Sequence, residues 1–229
     1  MMIRKKKNEV ERELVLLTTP QSLVSEQFRR LRTNLNFSSA EEKIHSLIIT
    51  SANAGEGKSM MAANLAVAYA QEGKTILLVD SDMRNPTAHK TFHMKNDIGI
   101  SNLLAEETIP EVAIRKTAIK NLDLLCSGPV PLNPSELLSS KVLERLIDKL
   151  EKSYDLVIFD SPPILSVVDG QIIAHKCDGS LLVINSGKTD REQALRAKQA
   201  LVSSGSKLVG VILNNFQQRP EKNYIRQSL

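Results

Sequence analysis

Ser46-Leu47-Ile48-Ile49-Thr50-Ser51-Ala52-Asn53-Ala54-Gly55-Glu56-Gly57-Lys58-Ser59 is the stretch on which the fold turns. Its first residues are apolar or β-branched and read as a buried strand, and a run of helical period follows from Ser59 to Gln71. A strand, a glycine-containing loop and a helix opening on Gly-Lys-Ser form the arrangement that cradles phosphate. Loop N–H groups from Ala54 to Met60 (Ala54, Gly55, Glu56, Gly57, Lys58, Ser59, Met60) and the positive helix end receive phosphate oxygens. The Lys58 ammonium reaches the terminal phosphates, and the Ser59 hydroxyl is suited to ligate Mg²⁺. The match to GxxxxGK[ST] is incomplete, because Ala52 stands where the first glycine belongs; a small residue there still allows the tight turn.

On either side of this stretch, short apolar runs alternate with longer segments of helical period, the sign of βαβ units on a parallel sheet. Strands are predicted at Ile44 to Thr50, Thr75 to Asp80, Leu122 to Cys126, Leu156 to Asp160, Ser180 to Asn185 and Leu208 to Leu213. Helices are predicted at Ser59 to Gln71, Ser135 to Lys152 and Arg191 to Ser203, with shorter pieces at Ile100 to Ala105 and Pro110 to Thr117. An additional helix is expected from Gln21 to Phe37, ahead of the first strand. Gln217 to Leu229 lacks any apolar period and reads as a mobile tail. The expected fold class is α/β: one domain over residues 1–229, a mostly parallel twisted sheet flanked by helices.

Composition agrees. The chain has 229 residues, 41% hydrophobic but only 3% aromatic, so the core must be built from Ile, Leu, Val and Ala, as in sheets covered on both faces. Two distant cysteines, Cys126 and Cys177, suggest neither a zinc site nor a disulfide framework, and read as small buried hydrophobes. A net charge of +4 is spread along the chain and implies no nucleic acid partner. The one basic cluster, Arg4 to Lys7, is followed by no apolar stretch and so is no secretory signal; a cytoplasmic location is expected.

Two more strands end in acids. Ile76-Leu77-Leu78-Val79 leads into Asp80-Ser81-Asp82-Met83-Arg84, and Leu156-Val157-Ile158-Phe159 leads into Asp160-Ser161-Pro162-Pro163. Carboxylates at the tips of buried strands are costly unless something positive sits beside them. A Mg²⁺ ion is the natural partner, which makes Ser59, Asp82 and Asp160 the candidate metal ligands.

These three elements together resemble the bacterial tyrosine kinases of the capsule and exopolysaccharide type. Ser51 to Ser59 matches their Walker A motif, Asp80 to Arg84 their Walker A′ and Asp160 to Pro163 their Walker B. The resemblance implies a deviant P-loop NTPase fold, ATP and Mg²⁺ as cofactors, and transfer of phosphate to tyrosine. Glu26, Arg29 and Arg32, three residues apart along one helical face, match a pattern that joins subunits of the family into a ring. It further implies a transmembrane adaptor whose cytoplasmic tail activates the kinase and recruits it to the inner membrane face, protein-tyrosine substrates, and control of exopolysaccharide synthesis.

For phosphoryl transfer the protein mainly positions groups and neutralises charge. Lys58 holds the terminal phosphates on this reading. Asp82, with Asp80 second, is the candidate base for the phenol, and Arg84 stabilises the γ-phosphate or holds the arriving tail. Asn214, or Phe216, beyond the last strand, is a candidate adenine contact. The chain departs from the family in two places. Its tail holds one tyrosine, Tyr224, in place of a cluster, which leaves Tyr224 as the expected self-phosphorylation site while Tyr69 and Tyr154 are expected to be packed; and Ala54 replaces a loop proline. Two rivals remain, a positioning ATPase of the same deviant class and a nucleotide-gated scaffold without tyrosine transfer. The first usually carries an extra lysine early in its loop, where this chain has Ala52-Asn53-Ala54.

Overall fold

All six predicted runs form strands in the computed structural model, which describes residues 13–38 and 43–216. They are β1 (Ser46–Ser51), β2 (Ile76–Asp80), β4 (Leu122–Leu125), β5 (Leu156–Asp160), β6 (Gly179–Asn185) and β7 (Leu208–Asn214), joined by a short additional strand, β3 (Ile114–Lys116). The sheet runs β3-β4-β2-β5-β1-β6-β7. Every neighbour is parallel except β3, which pairs antiparallel with β4. The centre of the sheet is therefore β2, β5 and β1 side by side, and their carboxyl ends lie together at one edge. The register sets Asp80 beside Asp160 across β2 and β5, and Ile49 beside Asp160 across β1 and β5.

Alternate residues of each central strand point to opposite faces. Leu47, Ile49, Leu78 and Ile158 pack under α1 (Val15–Thr18), α2 (Leu23–Ser38) and α3 (Lys58–Gln71). Ile48, Val79, Phe159 and Leu182 face the other side, toward α5 (Ile100–Leu104), α7 (Pro134–Ser139), α8 (Lys141–Ser153), α9 (Asp169–Lys176) and α10 (Arg191–Ser203). Two short helices, α4 (Ala88–Thr91) and α6 (Pro110–Ala113), complete the set among the described residues. α3 is alanine-rich and buried nearly all round, which lets it lie between the sheet and the α1–α2 arm. α8 instead buries one stripe, Leu143, Leu146, Ile147 and Leu150, at the helical spacing.

Two predicted helices are corrected. Pro110 to Thr117 is helical only to Ala113; from Ile114 the chain extends, because Ile114 to Lys116 pair with Asp123 to Leu125 and Arg115 reaches Asp97 Oδ1 at 2.6 Å. Ser135 to Lys152 is two helices, broken where Ser140 adopts an extended conformation and donates its hydroxyl to the Leu137 carbonyl at 2.7 Å. α9 has no counterpart in the sequence reading. The Gln217 to Leu229 tail with Tyr224, and the Arg4 to Lys7 cluster, lie outside the described residues. No helix among the described residues is long and apolar enough to cross a membrane.

Candidate active site

The loop between β1 and α3 is shaped by its small residues. Ala52 is fully buried and its methyl joins the core, so the position that departs from the motif is filled by packing while the turn is kept. Gly57 immediately precedes α3 at φ 95°, a left-handed conformation suited to glycine. A Cβ at Gly57 would also stand 2.3 Å from Asn214 Nδ2. A larger residue at this turn would displace the Asn214 amide from the end of β7.

Lys58, the first residue of α3, is buried and points at acids. Its Nζ lies 3.1 Å from Asp82 Oδ2, 3.7 Å from Asp160 Oδ1 and 3.3 Å from Ser59 Oγ. Burial opposes the Lys58 charge, but Asp160, Asp82 and Asp80 outweigh it and hold the ammonium pKa above its usual value. For Asp160 burial wins and raises the carboxyl, with Lys58 and the Ser59 hydroxyl opposing. Asp80 is pushed up to about 7, by burial first and by Asp160 second. Its Oδ2 accepts from the Thr87 and Ala88 N–H groups at 2.8 Å each, which ties the end of β2 to the start of α4. Asp82 Oδ1 accepts from the Asn85 N–H at 3.0 Å.

The sequence reading thus brings Lys58, Ser59, Asp80, Asp82 and Asp160 together. Three other residues are engaged in ways it did not foresee. The Arg84 guanidinium is held by Asp169, Nε to Oδ2 at 2.8 Å and Nη2 to Oδ1 at 3.2 Å, with Ser135 Oγ at 3.3 Å. Asn214 donates its amide to the Glu56 carbonyl at 2.8 Å and so braces the loop itself. Arg32 turns inward onto α3, Nη1 to the Ala68 carbonyl at 2.7 Å and Nε 3.6 Å from Glu72, whereas Arg29 pairs with the exposed Glu26 at 3.1 Å. Of the other two tyrosines, Tyr69 is buried, which raises its hydroxyl to about 12, and Tyr154 donates to Asp123 Oδ2 at 2.9 Å.

The donor set fits a magnesium nucleotide. Asp160 Oδ1 and Asp80 Oδ1 are buried without a hydrogen-bond partner among the described residues, so the acids retain lone pairs for a cation. No group of three or more His, Cys, Asp or Glu side chains forms a metal cage among the described residues. Mg²⁺ keeps several waters and typically takes one or two carboxylates together with substrate phosphates, a demand the acids beside Lys58 and Ser59 can meet.

A parallel sheet whose central strands end in a phosphate loop and paired acids defines the P-loop NTPase fold. Residues 45–192 match the family described as AAA domain. Tyrosine-protein kinase YwqD of Bacillus subtilis (strain 168) is 47% identical over 98% of this chain and 95% of its own length. The crystal structure of the chimerical protein CapA2B2 superposes with a TM-score of 0.86 at 40% identity, covering 90% of both chains. The cell division ATPase MinD of Pyrococcus furiosus reaches a TM-score of 0.66 at 25% identity, over 77% of this chain and 74% of its own. The chain belongs to the AAA domain family and, within it, to the bacterial tyrosine-protein kinases. The likeness to a positioning ATPase is the weaker one, in identity and in shape.

Proposed function

We propose that this kinase binds Mg-ATP between the β1–α3 loop and the ends of β2 and β5, and transfers the terminal phosphoryl group to a tyrosine hydroxyl. The observation that carries the reading is Lys58 Nζ at the helix start, facing Asp82 and Asp160 at 3.1 and 3.7 Å. The N–H groups from Ala54 to Met60 and the Lys58 ammonium take the phosphates. Ser59, Asp82 and Asp160 would hold Mg²⁺, whose charge would offset that of the phosphates. A phenol has a solution pKa of about 10, so transfer at neutral pH needs a carboxylate to accept its proton. Asp82 is that base. As the phenol oxygen bonds to the γ-phosphorus its proton passes to Asp82, the bond from phosphorus to the bridging oxygen breaks, and ADP leaves. Asp80, tied to Thr87 and Ala88, orients the strand end. Arg84 acts through Asp169 by holding the Asp82 loop against α9.

The acceptor within this chain is Tyr224 of a neighbouring copy, brought close by a homo-oligomeric ring built on Glu26, Arg29 and Arg32. The resemblance supports a cytoplasmic protein recruited to the plasma membrane by a transmembrane adaptor, acting on further tyrosine substrates in exopolysaccharide or capsule synthesis.

Intact-mass measurement after incubation with Mg-ATP tests the chemistry, with and without a peptide from an adaptor's cytoplasmic tail. The expected result is one added phosphate, lost in Tyr224→Phe and in Asp82→Ala. Release of free phosphate with no gain in mass would overturn tyrosine transfer in favour of a switch-type ATPase.

A further inference from the structure

Glu56 sits inside the phosphate loop, yet its side chain is almost fully buried and forms no ion pair among the described residues. A buried carboxylate without a cation must be satisfied by hydrogen bonds. It is. Oε2 accepts from the Ala52 N–H at 3.0 Å, which closes the loop on itself. Oε1 accepts from Thr189 Oγ1 at 2.6 Å and from Asn53 Nδ2 at 3.3 Å. Asn53 Nδ2 also donates to Gln193 Oε1 at 3.0 Å. Thr189 in turn accepts from the Asn185 N–H, at the end of β6, at 3.0 Å. The loop is thereby fastened to the turn between β6 and α10, a segment far away in sequence.

We propose that Thr189 is a positioning residue of the nucleotide site, acting through the Glu56 carboxylate. The inference rests on the reading of this loop as the ATP site. Three donors, two from the loop itself and one from Thr189, engage both oxygens of Glu56, so the carboxylate is committed to holding the loop. Its work is to hold the Ala52 to Gly57 backbone in its phosphate-accepting shape before the nucleotide arrives, so that binding does not have to order the loop. The hydroxyl of Thr189 is the part that matters, because its methyl makes no hydrogen bond.

Thr189→Val keeps the shape and removes the hydroxyl, whereas Thr189→Ser keeps the hydroxyl and removes the methyl. Mg-ATP affinity by calorimetry and steady-state KM and kcat are measured for both, with thermal unfolding of the free proteins as the control for folding. Loss of a hydrogen bond to a charged group predicts an affinity loss of about tenfold in Thr189→Val, seen in KM more than in kcat. Thr189→Ser binds like the parent. In a Glu56→Ala background Thr189→Val adds little, since the partner is gone. Equal affinity in Thr189→Val and the parent overturns the inference, as does an equal loss in Thr189→Ser and Thr189→Val, which would mark a packing role. A parent that binds no Mg-ATP overturns the ATP-site reading and this inference with it, so the two failures are distinguishable.

Discussion

The two ends of α3 obey the same electrostatic rule with opposite signs and serve different tasks. Unpaired N–H groups make a helix start positive, and unpaired carbonyls make its end negative. At the start, Lys58 and Ser59 open the helix against Asp82 and Asp160, and the loop ahead of them is built for phosphate. At the end, Ala68 in the last turn accepts from the Arg32 guanidinium at 2.7 Å, and Asn121 Nδ2 reaches the Ala70 carbonyl at 3.3 Å. On the proposed reading the first end takes the charge of the nucleotide. The second binds the chain's own α2, the helix that carries Glu26 and Arg29 outward. One rigid, buried helix therefore joins the phosphate loop to the proposed assembly surface.

The largest effect belongs to the first end. Lys58→Met removes the ammonium that faces Asp82 and Asp160 and leaves those acids to repel each other and the nucleotide. Phosphotransfer is expected to fall at least about a hundredfold, measured as added phosphate mass per unit time. Retained activity would break the contrast between a chemical end and a structural end of the helix.

The second end should respond in stability and assembly. Arg32→Ala removes a charged hydrogen bond to a helix carbonyl, which costs about 1.5–3 kcal/mol of monomer stability by denaturant unfolding. Arg29→Ala removes a partly exposed pair with Glu26 and a solvent-accessible hydrogen bond to the Pro20 carbonyl at 2.7 Å, and its cost is expected to be smaller, about 1 kcal/mol. Both replacements should shift light scattering toward smaller species. Equal stability losses would show that Arg29 is not free for a neighbour, and an unchanged large species in both would remove the ring interface.

The two ends also differ in how much of them could be read from sequence. Lys58 and Ser59 are legible from the loop motif that ends on them, and Asp80, Asp82 and Asp160 because they stand at or just beyond the tips of apolar strands, where a charge has few reasons to be. The inward turn of Arg32 was not, because the spacing of Glu26, Arg29 and Arg32 gives a helical face and not what the face touches; Ala68 is 36 residues away. Asp169 and Thr189 were missed for the same reason, lying 85 and 133 residues from Arg84 and Glu56. Strands were placed well, and so was the short helix α5, whereas β3 and the break at Ser140 were not. β3 is three residues long, and the break at Ser140 hides in a stretch whose apolar spacing continues from Leu137 and Leu138 to Leu143.

The smallest expected effect sharpens the chemical end by separating its two upstream acids. Asp80 has a folded-state pKa of about 7, against an ordinary value of 3.8. Between those values the folded chain holds more protons at this site than the unfolded chain does. Stability from this group is therefore fully present below the unfolded value and is lost as pH rises through about 7. Without nucleotide or Mg²⁺, the parent should gain melting temperature on going from pH 8 to pH 5.5 by more than Asp80→Asn does. The asparagine carbonyl still accepts from Thr87 and Ala88, so the variant keeps the β2–α4 tie while losing the charge. Asp160 titrates in both proteins, which makes the difference between their pH profiles the informative quantity. Identical profiles would mean that Asp80 is ionised throughout this range, and would keep it as the second candidate base; a flatter profile in Asp80→Asn leaves Asp82 as the carboxylate held ready beside Lys58.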